Sequence, residues 1–79
     1  GGSIFISASD GVGLNQYGGS ITIKGGNSSG SSTGGHIHLI PGSSSNGVSG
    51  SIVLLNLPSS PNGLPNGALW TSEGILKIA

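Results

Sequence analysis

One short pattern recurs four times along this chain: Gly, a small or polar residue, Ile, a variable residue, and then Ile or Leu. The copies lie near residues 2–6, 19–23, 35–39 and 50–54, so successive copies are offset by 17, 16 and 15 residues. Self-similarity at short intervals is typical of repeat architectures, in which stacked units share one continuous core. The sequence therefore predicts a chain built from stacked repeats.

Each copy of the pattern predicts a short β-strand. Apolar residues occupy alternate positions, which places them on one face of a strand, and Ile is β-branched. No segment carries the apolar stripe of an amphipathic helix. We therefore expect an all-β fold whose inward-facing residues are Ile4, Ile6, Ile21, Ile23, Ile37, Leu39, Ile52 and Leu54.

The connectors between the copies limit what one chain can enclose. A single-chain triangular β-solenoid needs apolar residues on all three walls, yet the connector 24–35 contains none. A 79-residue chain with one short strand per repeat also buries little surface by itself. Three chains sharing one core would each supply one wall. The sequence thus predicts a homotrimeric triangular β-prism, or triple-stranded β-helix, with residues 1–57 as its glycine-rich shaft.

Residues 58–79 depart from the repeat. Pro58 ends the last predicted strand, and two Pro-Asn-Gly turn signals follow, at 61–63 and 65–67. Residues 68–70 and 75–78 then predict a β-hairpin joined by 71–74, with Gly74 at positive φ. We expect this hairpin to cap the shaft through its apolar residues, Leu69, Trp70, Ile75, Leu76 and Ile78.

The C-terminal segment resembles a module found near the ends of bacteriophage tail fibre and other virion proteins. The resemblance is carried by Leu-Pro-Ser at 57–59, Gly-Leu-Pro at 63–65, Gly-Ala-Leu-Trp at 67–70 and Gly-Ile-Leu-Lys-Ile at 74–78. The Gly-Gly-x-Ile-x-Ile repeats look like the glycine-rich shafts of the same class. The resemblance implies a homotrimeric fibrous β-fold with a structural or host-contacting role on a virion.

Charge and composition exclude several other functions. The four charged residues, Asp10, Lys24, Glu73 and Lys77, sum to zero, which argues against nucleic acid and against an anionic membrane as partners. The chain has no Cys, so it has neither a disulfide framework nor a thiolate metal site. It also has no Met, even at position 1, so we expect a piece of a longer protein.

His36 and His38 are the candidate metal ligands. At i and i+2 on a strand they share one face, and three chains would bring six imidazoles to one level. Some phage fibre tips and spikes are similar in holding iron with a His-x-His strand pair. However, His36 and His38 align with Ser20 and Thr22 on the predicted outer face, while Ile37 faces inward. We therefore expect exposed histidines without a metal, with iron or zinc as the alternative.

Three further features have ordinary explanations. Residues 30–34 match the Gly-x-Ser-x-Gly nucleophile elbow, but that motif needs a strand-to-helix turn and a nearby base. We therefore expect a chance match in a Gly/Ser loop and no enzymatic activity. Asn27-Ser28-Ser29 is formally a glycosylation acceptor, which would be silent in a bacterial virus. Phe5, Tyr17 and Trp70 could contact a glycan, although packing inside the trimer is favoured for large aromatic side chains.

The sequence as a whole predicts a non-enzymatic fibre segment of a phage tail fibre or spike, located on the virion and used in host attachment. A bacterial trimeric adhesin, or another surface β-solenoid that binds a ligand, is the alternative. An ice-binding β-solenoid would need a regular outward array of Thr or Asn. The variable outward positions here, Phe5, Thr22, His38 and Val53, do not supply one.

Overall fold

The regular secondary structure of this chain consists of one β-hairpin near the carboxyl terminus. The computed structural model describes all 79 residues. Strand β1 spans Leu69–Ser72 and strand β2 spans Ile75–Ile78, paired antiparallel with Trp70 opposite Lys77. The structure has no helix of the length and apolar character needed to cross a membrane.

The hairpin turn consists of two residues, Glu73 and Gly74, with φ of 52° and 80°. Positive φ at both central positions is characteristic of a type I′ turn, whose twist matches that of the flanking strands. The prediction of a positive φ at Gly74 is confirmed. The predicted four-residue connection at 71–74 is wrong, because Thr71 and Ser72 continue β1 and pair with Leu76 and Ile75.

Two consecutive tight turns lead into the hairpin. Leu64 N–H donates to the Pro61 carbonyl and Ala68 N–H donates to the Pro65 carbonyl, each at 3.2 Å. The glycine at the third position of each turn has positive φ, 76° at Gly63 and 88° at Gly67, as type II turns require. Both Pro-Asn-Gly signals in the sequence therefore form turns.

Backbone hydrogen bonds also attach the preceding segment to the hairpin. Thr71 N–H, on the outer edge of β1, donates to the Pro58 carbonyl at 2.9 Å. At the open end, Ala79 accepts from Gly67 N–H at 2.9 Å and donates to the Ala68 carbonyl at 2.8 Å. The segment 58–68 is thus attached to the hairpin at the outer edge of β1 and at the hairpin's open end.

Three backbone hydrogen bonds divide the rest of the chain into eight-residue segments. Gly19 N–H donates to Ser9, Gly35 N–H to Gly26 and Gly50 N–H to Gly42, each at 2.8 Å. These three bonds, which we call clamps, bound the segments 19–26 and 35–42. Counting eight residues outward gives 2–9 and 50–57. We call these four segments rungs; the residues between them form loops 10–18, 27–34 and 43–49.

The clamps explain the uneven spacing of the repeats. The two rungs bounded by clamps at both ends have eight residues each, and the loops have nine, eight and seven residues. Adding a rung of eight residues to each loop gives the offsets of 17, 16 and 15. The irregularity therefore lies in the loops, and the predicted inward residues occupy positions three and five of every rung.

The rungs carry no ladder hydrogen bonds in this single chain. Their backbones are not paired as strands, and no residue of the chain is fully buried. Residues 1–38 and 39–79 form two separate units, with the boundary inside the third rung. The predicted repeat strands thus remain predictions that depend on a partner chain to pair with.

Candidate functional site

The predicted inward residues are exposed apolar side chains on the rungs. All eight are exposed in the single chain, from 48% at Leu54 to 90% at Ile4. Soluble monomers rarely expose many large apolar side chains together, and extensive exposed apolar surface marks an interaction site. We call these eight side chains the rung face; they are Ile4, Ile6, Ile21, Ile23, Ile37, Leu39, Ile52 and Leu54.

The hairpin separates the five predicted cap residues onto two faces. Cross-strand partners share a face, and neighbours along a strand alternate. Leu69, Leu76 and Ile78 therefore lie on one face, with Thr71 beside them, whereas Trp70 and Ile75 lie on the other. The first face is an apolar surface of its own, with Ile78 72% exposed and Leu76 53% exposed.

Trp70 is half-buried and is covered on one side by a charge. The Lys77 ammonium lies 5.4 Å from the centroid of the indole ring, within the range of a cation–π contact. The indole Nε1 is shielded from solvent and has no hydrogen-bond partner. A shielded donor without an acceptor is destabilising, so the indole contributes through its apolar area and not through its N–H.

The histidine rings lie beside each other, as expected for residues two apart on an extended segment. The ring centroids of His36 and His38 are 5.9 Å apart in an edge-to-face arrangement. The chain has no group of three or more His, Cys, Asp and Glu side chains placed to hold a metal ion. A metal at this pair would need ligands from other chains, and the outward, metal-free assignment stays a prediction.

The loop 27–34 and its neighbours form an open recess. It is lined by Lys24, by Asn27, Ser28 and Ser32, by His36 and Ile37, and by the backbone of two Gly-Gly pairs, 25–26 and 34–35. The recess belongs entirely to the unit 1–38. A cationic side chain, hydroxyl groups and exposed backbone lie together in this recess.

This recess contains two of the motifs seen in the sequence. Ser32 of the Gly-x-Ser-x-Gly match and His36 both line it, but no helix follows the motif. Asn27 of the glycosylation sequence accepts a hydrogen bond from the Lys24 ammonium at 2.9 Å. The interpretation of residues 30–34 as a chance match stays a prediction.

The eight-residue rung is the feature that reasoning from the sequence missed. A signal in the first two copies was the small residue two places after the apolar pair, Ala8 in the first copy and Gly25 in the second. Both are half-buried against the base of a loop. A Cβ at Gly25 would lie 2.7 Å from the Gly35 carbonyl oxygen, so the loop ends approach to backbone contact.

No protein-family model matches the chain, and comparisons with curated proteins and with solved structures likewise found no match. The likeness to phage virion modules therefore rests on the motifs in residues 57–78 and on the glycine-rich repeats.

Proposed function

We propose that this chain is a segment of a homotrimeric β-fibre in a phage virion appendage, a tail fibre or spike. The supporting observation is the rung face, which repeats the same two apolar positions relative to the clamps in four rungs and leaves all eight side chains exposed. The segment acts mechanically, as a rigid rod that holds whatever lies at its tip during host attachment.

Three chains together could bury the apolar side chains and pair the backbone groups that one chain leaves exposed. In a triangular prism each chain supplies one wall per level, and the rung faces of three chains meet around the axis. Burying eight Ile or Leu side chains per chain at about 1.5–3 kcal/mol each would stabilise the assembly. Strand pairing between chains would also satisfy the backbone groups that the rungs leave unpaired.

The loops fit this arrangement because each leaves and re-enters the wall at one point. A clamp of 2.8 Å holds the two ends of each loop together, so the wall can continue from one rung to the next. Loops of different lengths are then compatible with a uniform axial spacing. Loop 27–34, which has no apolar residue, lies outside the core in this arrangement.

The hairpin cap would set the register of the three chains. Gly-rich repeats specify register weakly, because a slip of one repeat preserves the apolar layers. The segment 58–79 is non-repetitive and presents the apolar face of Leu69, Leu76 and Ile78. Three such faces packed together fix the chains at equal height and end the shaft.

Immunogold labelling tests the proposal. Antibodies raised against the recombinant segment would be applied to phage particles and to the surface of the bacterium that carries the gene. Label on a tail appendage is the expected result. Label on the bacterial surface, with none on particles, would contradict the proposal and favour a trimeric adhesin.

A further inference from the structure

We propose that Asn62 is a site of spontaneous deamidation, and that the β-hairpin protects Asn66, its counterpart in the next turn, from the same reaction. Both residues lie in Pro-Asn-Gly triplets, at 61–63 and 65–67, and both are exposed. The inference does not depend on the fibre role, because both turns and the hairpin belong to the unit 39–79.

The reaction needs no reagent other than water. The Gly63 amide nitrogen, once deprotonated, attacks Cγ of the Asn62 side chain and closes a succinimide ring, while the Cγ–Nδ2 bond breaks and ammonia leaves. Water then opens the ring at either carbonyl and gives aspartate or isoaspartate. The net change is a gain of water and a loss of ammonia, without oxidation or reduction. A following glycine favours the attack because it has no side chain to hinder its nitrogen.

The turn geometry makes a local opening necessary in both triplets. Each asparagine occupies the second position of a type II turn, where ψ is about +120°. This angle directs the nitrogen of the following glycine away from the asparagine side chain. Rotating that peptide toward the side chain breaks the turn, so the reaction rate depends on the free energy of the local opening.

The first turn is held weakly at the position that matters. The Gly63 N–H, which carries the attacking nitrogen, donates to no protein acceptor. The turn is closed by the Leu64 N–H, which donates to the Pro61 carbonyl at 3.2 Å. The Asn62 N–H donates to the Ser60 hydroxyl at 3.2 Å, on the side of Asn62 away from the reacting peptide. One backbone hydrogen bond therefore opposes the opening.

The second turn is tied to the end of the hairpin. The Gly67 N–H donates to the Ala79 carbonyl at 2.9 Å, and the Ala79 N–H donates to the Ala68 carbonyl at 2.8 Å. These two bonds continue the ladder of the hairpin beyond the pair of Leu69 and Ile78. Freeing the Gly67 nitrogen thus requires the open end of the hairpin to separate as well as the turn.

The chain has a third Asn-Gly pair, Asn46-Gly47, in loop 43–49. Its glycine N–H donates to the Ser44 hydroxyl at 2.9 Å, so its nitrogen is also engaged. Because Asn46 follows Ser45 and not a proline, it is not matched in sequence to the other two. The two Pro-Asn-Gly triplets are the comparison in which the structural difference stands alone.

Deamidation at Asn62 would change the connection between the fourth rung and the hairpin. It adds one negative charge to a chain whose net charge is zero. The isoaspartate product also adds a methylene group to the backbone of the turn, which displaces Leu64 N–H from the Pro61 carbonyl. The modification therefore weakens the first of the two turns that lead into the hairpin.

Tandem mass spectrometry of proteolytic fragments tests the proposal on the assembled protein, incubated at mildly alkaline pH. Asn62 should convert at least about tenfold faster than Asn66, because two further hydrogen bonds must open at Asn66. A synthetic peptide of residues 58–68 measures the intrinsic reactivity, and its two asparagines should convert at similar rates. Equal rates in the protein, faster conversion of Asn66, or no conversion of Asn62 while the peptide reacts would overturn the proposal. A peptide with the same difference as the protein would assign the difference to sequence and would also contradict it.

Two glutamine variants identify the source of the acidic product. Glutamine deamidates far more slowly, because its ring would be one atom larger. Isoelectric focusing of the incubated protein should show a weaker acidic band for Asn62→Gln and an unchanged band for Asn66→Gln. An acidic band as strong in Asn62→Gln as in the unsubstituted protein would contradict the assignment. Because neither measurement reports oligomeric state, failure here leaves the fibre proposal intact.

Discussion

The amide N–H of Gly35 donates to the carbonyl of Gly26 at 2.8 Å, across a loop of eight residues. The same relationship joins Gly19 to Ser9 and Gly50 to Gly42. With the clamps as boundaries, the uneven spacing of the repeats is due to the loops, which differ in length. The clamps separate the residues proposed to assemble the rod from the residues free to vary on its surface.

The first prediction is that a loop can be removed without loss of assembly. Replacing residues 27–34 by Asn-Gly would turn the clamp into the hydrogen bond of an ordinary β-turn. We expect the oligomeric state and circular dichroism spectrum to be preserved, with a gain of about 1 kcal/mol per chain from the smaller closure entropy. Deleting the rung 35–42 is the control, and it should lower the thermal midpoint. Equal damage from both changes would show that the loop is part of the core.

A feature of the fold could be predicted from the sequence when the residues that form it lie close together along the chain. The Pro-Asn-Gly turns and the hairpin could be predicted because Gly63, Gly67 and Gly74 mark them within four residues. The rungs could not, because a clamp joins residues as many as ten positions apart and is made by backbone groups that carry no side-chain signature. The recess was missed for the same reason, since its base is the backbone of two Gly-Gly pairs.

The second prediction concerns the base of a clamp. Gly25→Ala would place a Cβ 2.7 Å from the Gly35 carbonyl oxygen. The backbone must shift to relieve this contact, so we expect a loss of about 1–3 kcal/mol per chain in denaturant unfolding. Gly26→Ala is the matched control, because a Cβ there meets nothing within 4 Å. If the two variants unfold at the same denaturant concentration, the clamp geometry is wrong.

The third prediction uses the hairpin turn. Glu73 has φ of 52°, a conformation that Asn adopts more readily. Glu73→Asn should therefore stabilise the cap by about 0.5–1 kcal/mol, because Asn-Gly is the preferred type I′ pair. Gly74→Ala, at φ of 80°, should destabilise it by at least as much. Thermal unfolding measured for both variants checks these opposite signs; a shift in the same direction would argue against this turn.

The fourth prediction concerns Trp70. Its indole is half-buried beneath Lys77, so Trp70→Ala should destabilise each hairpin, and through the hairpin the assembly, by up to about 3 kcal/mol per chain. Trp70→Phe should cost less than about 1 kcal/mol, because Phe keeps most of the apolar area and removes a shielded, unpartnered N–H. The fraction of each variant that dissociates in SDS without boiling measures both effects. Similar losses for Ala and Phe would mean that the indole N–H does find an acceptor in the assembly.

The central claim is that the rung faces of three chains form one core, and sedimentation equilibrium of the purified segment tests it most directly. The account predicts a single species with three times the 7.6 kDa mass of the chain, present across the whole loading range. A folded monomer at 7.6 kDa would contradict it, because Ile4, Ile21, Ile37 and Ile52 would then remain in water with no partner to cover them.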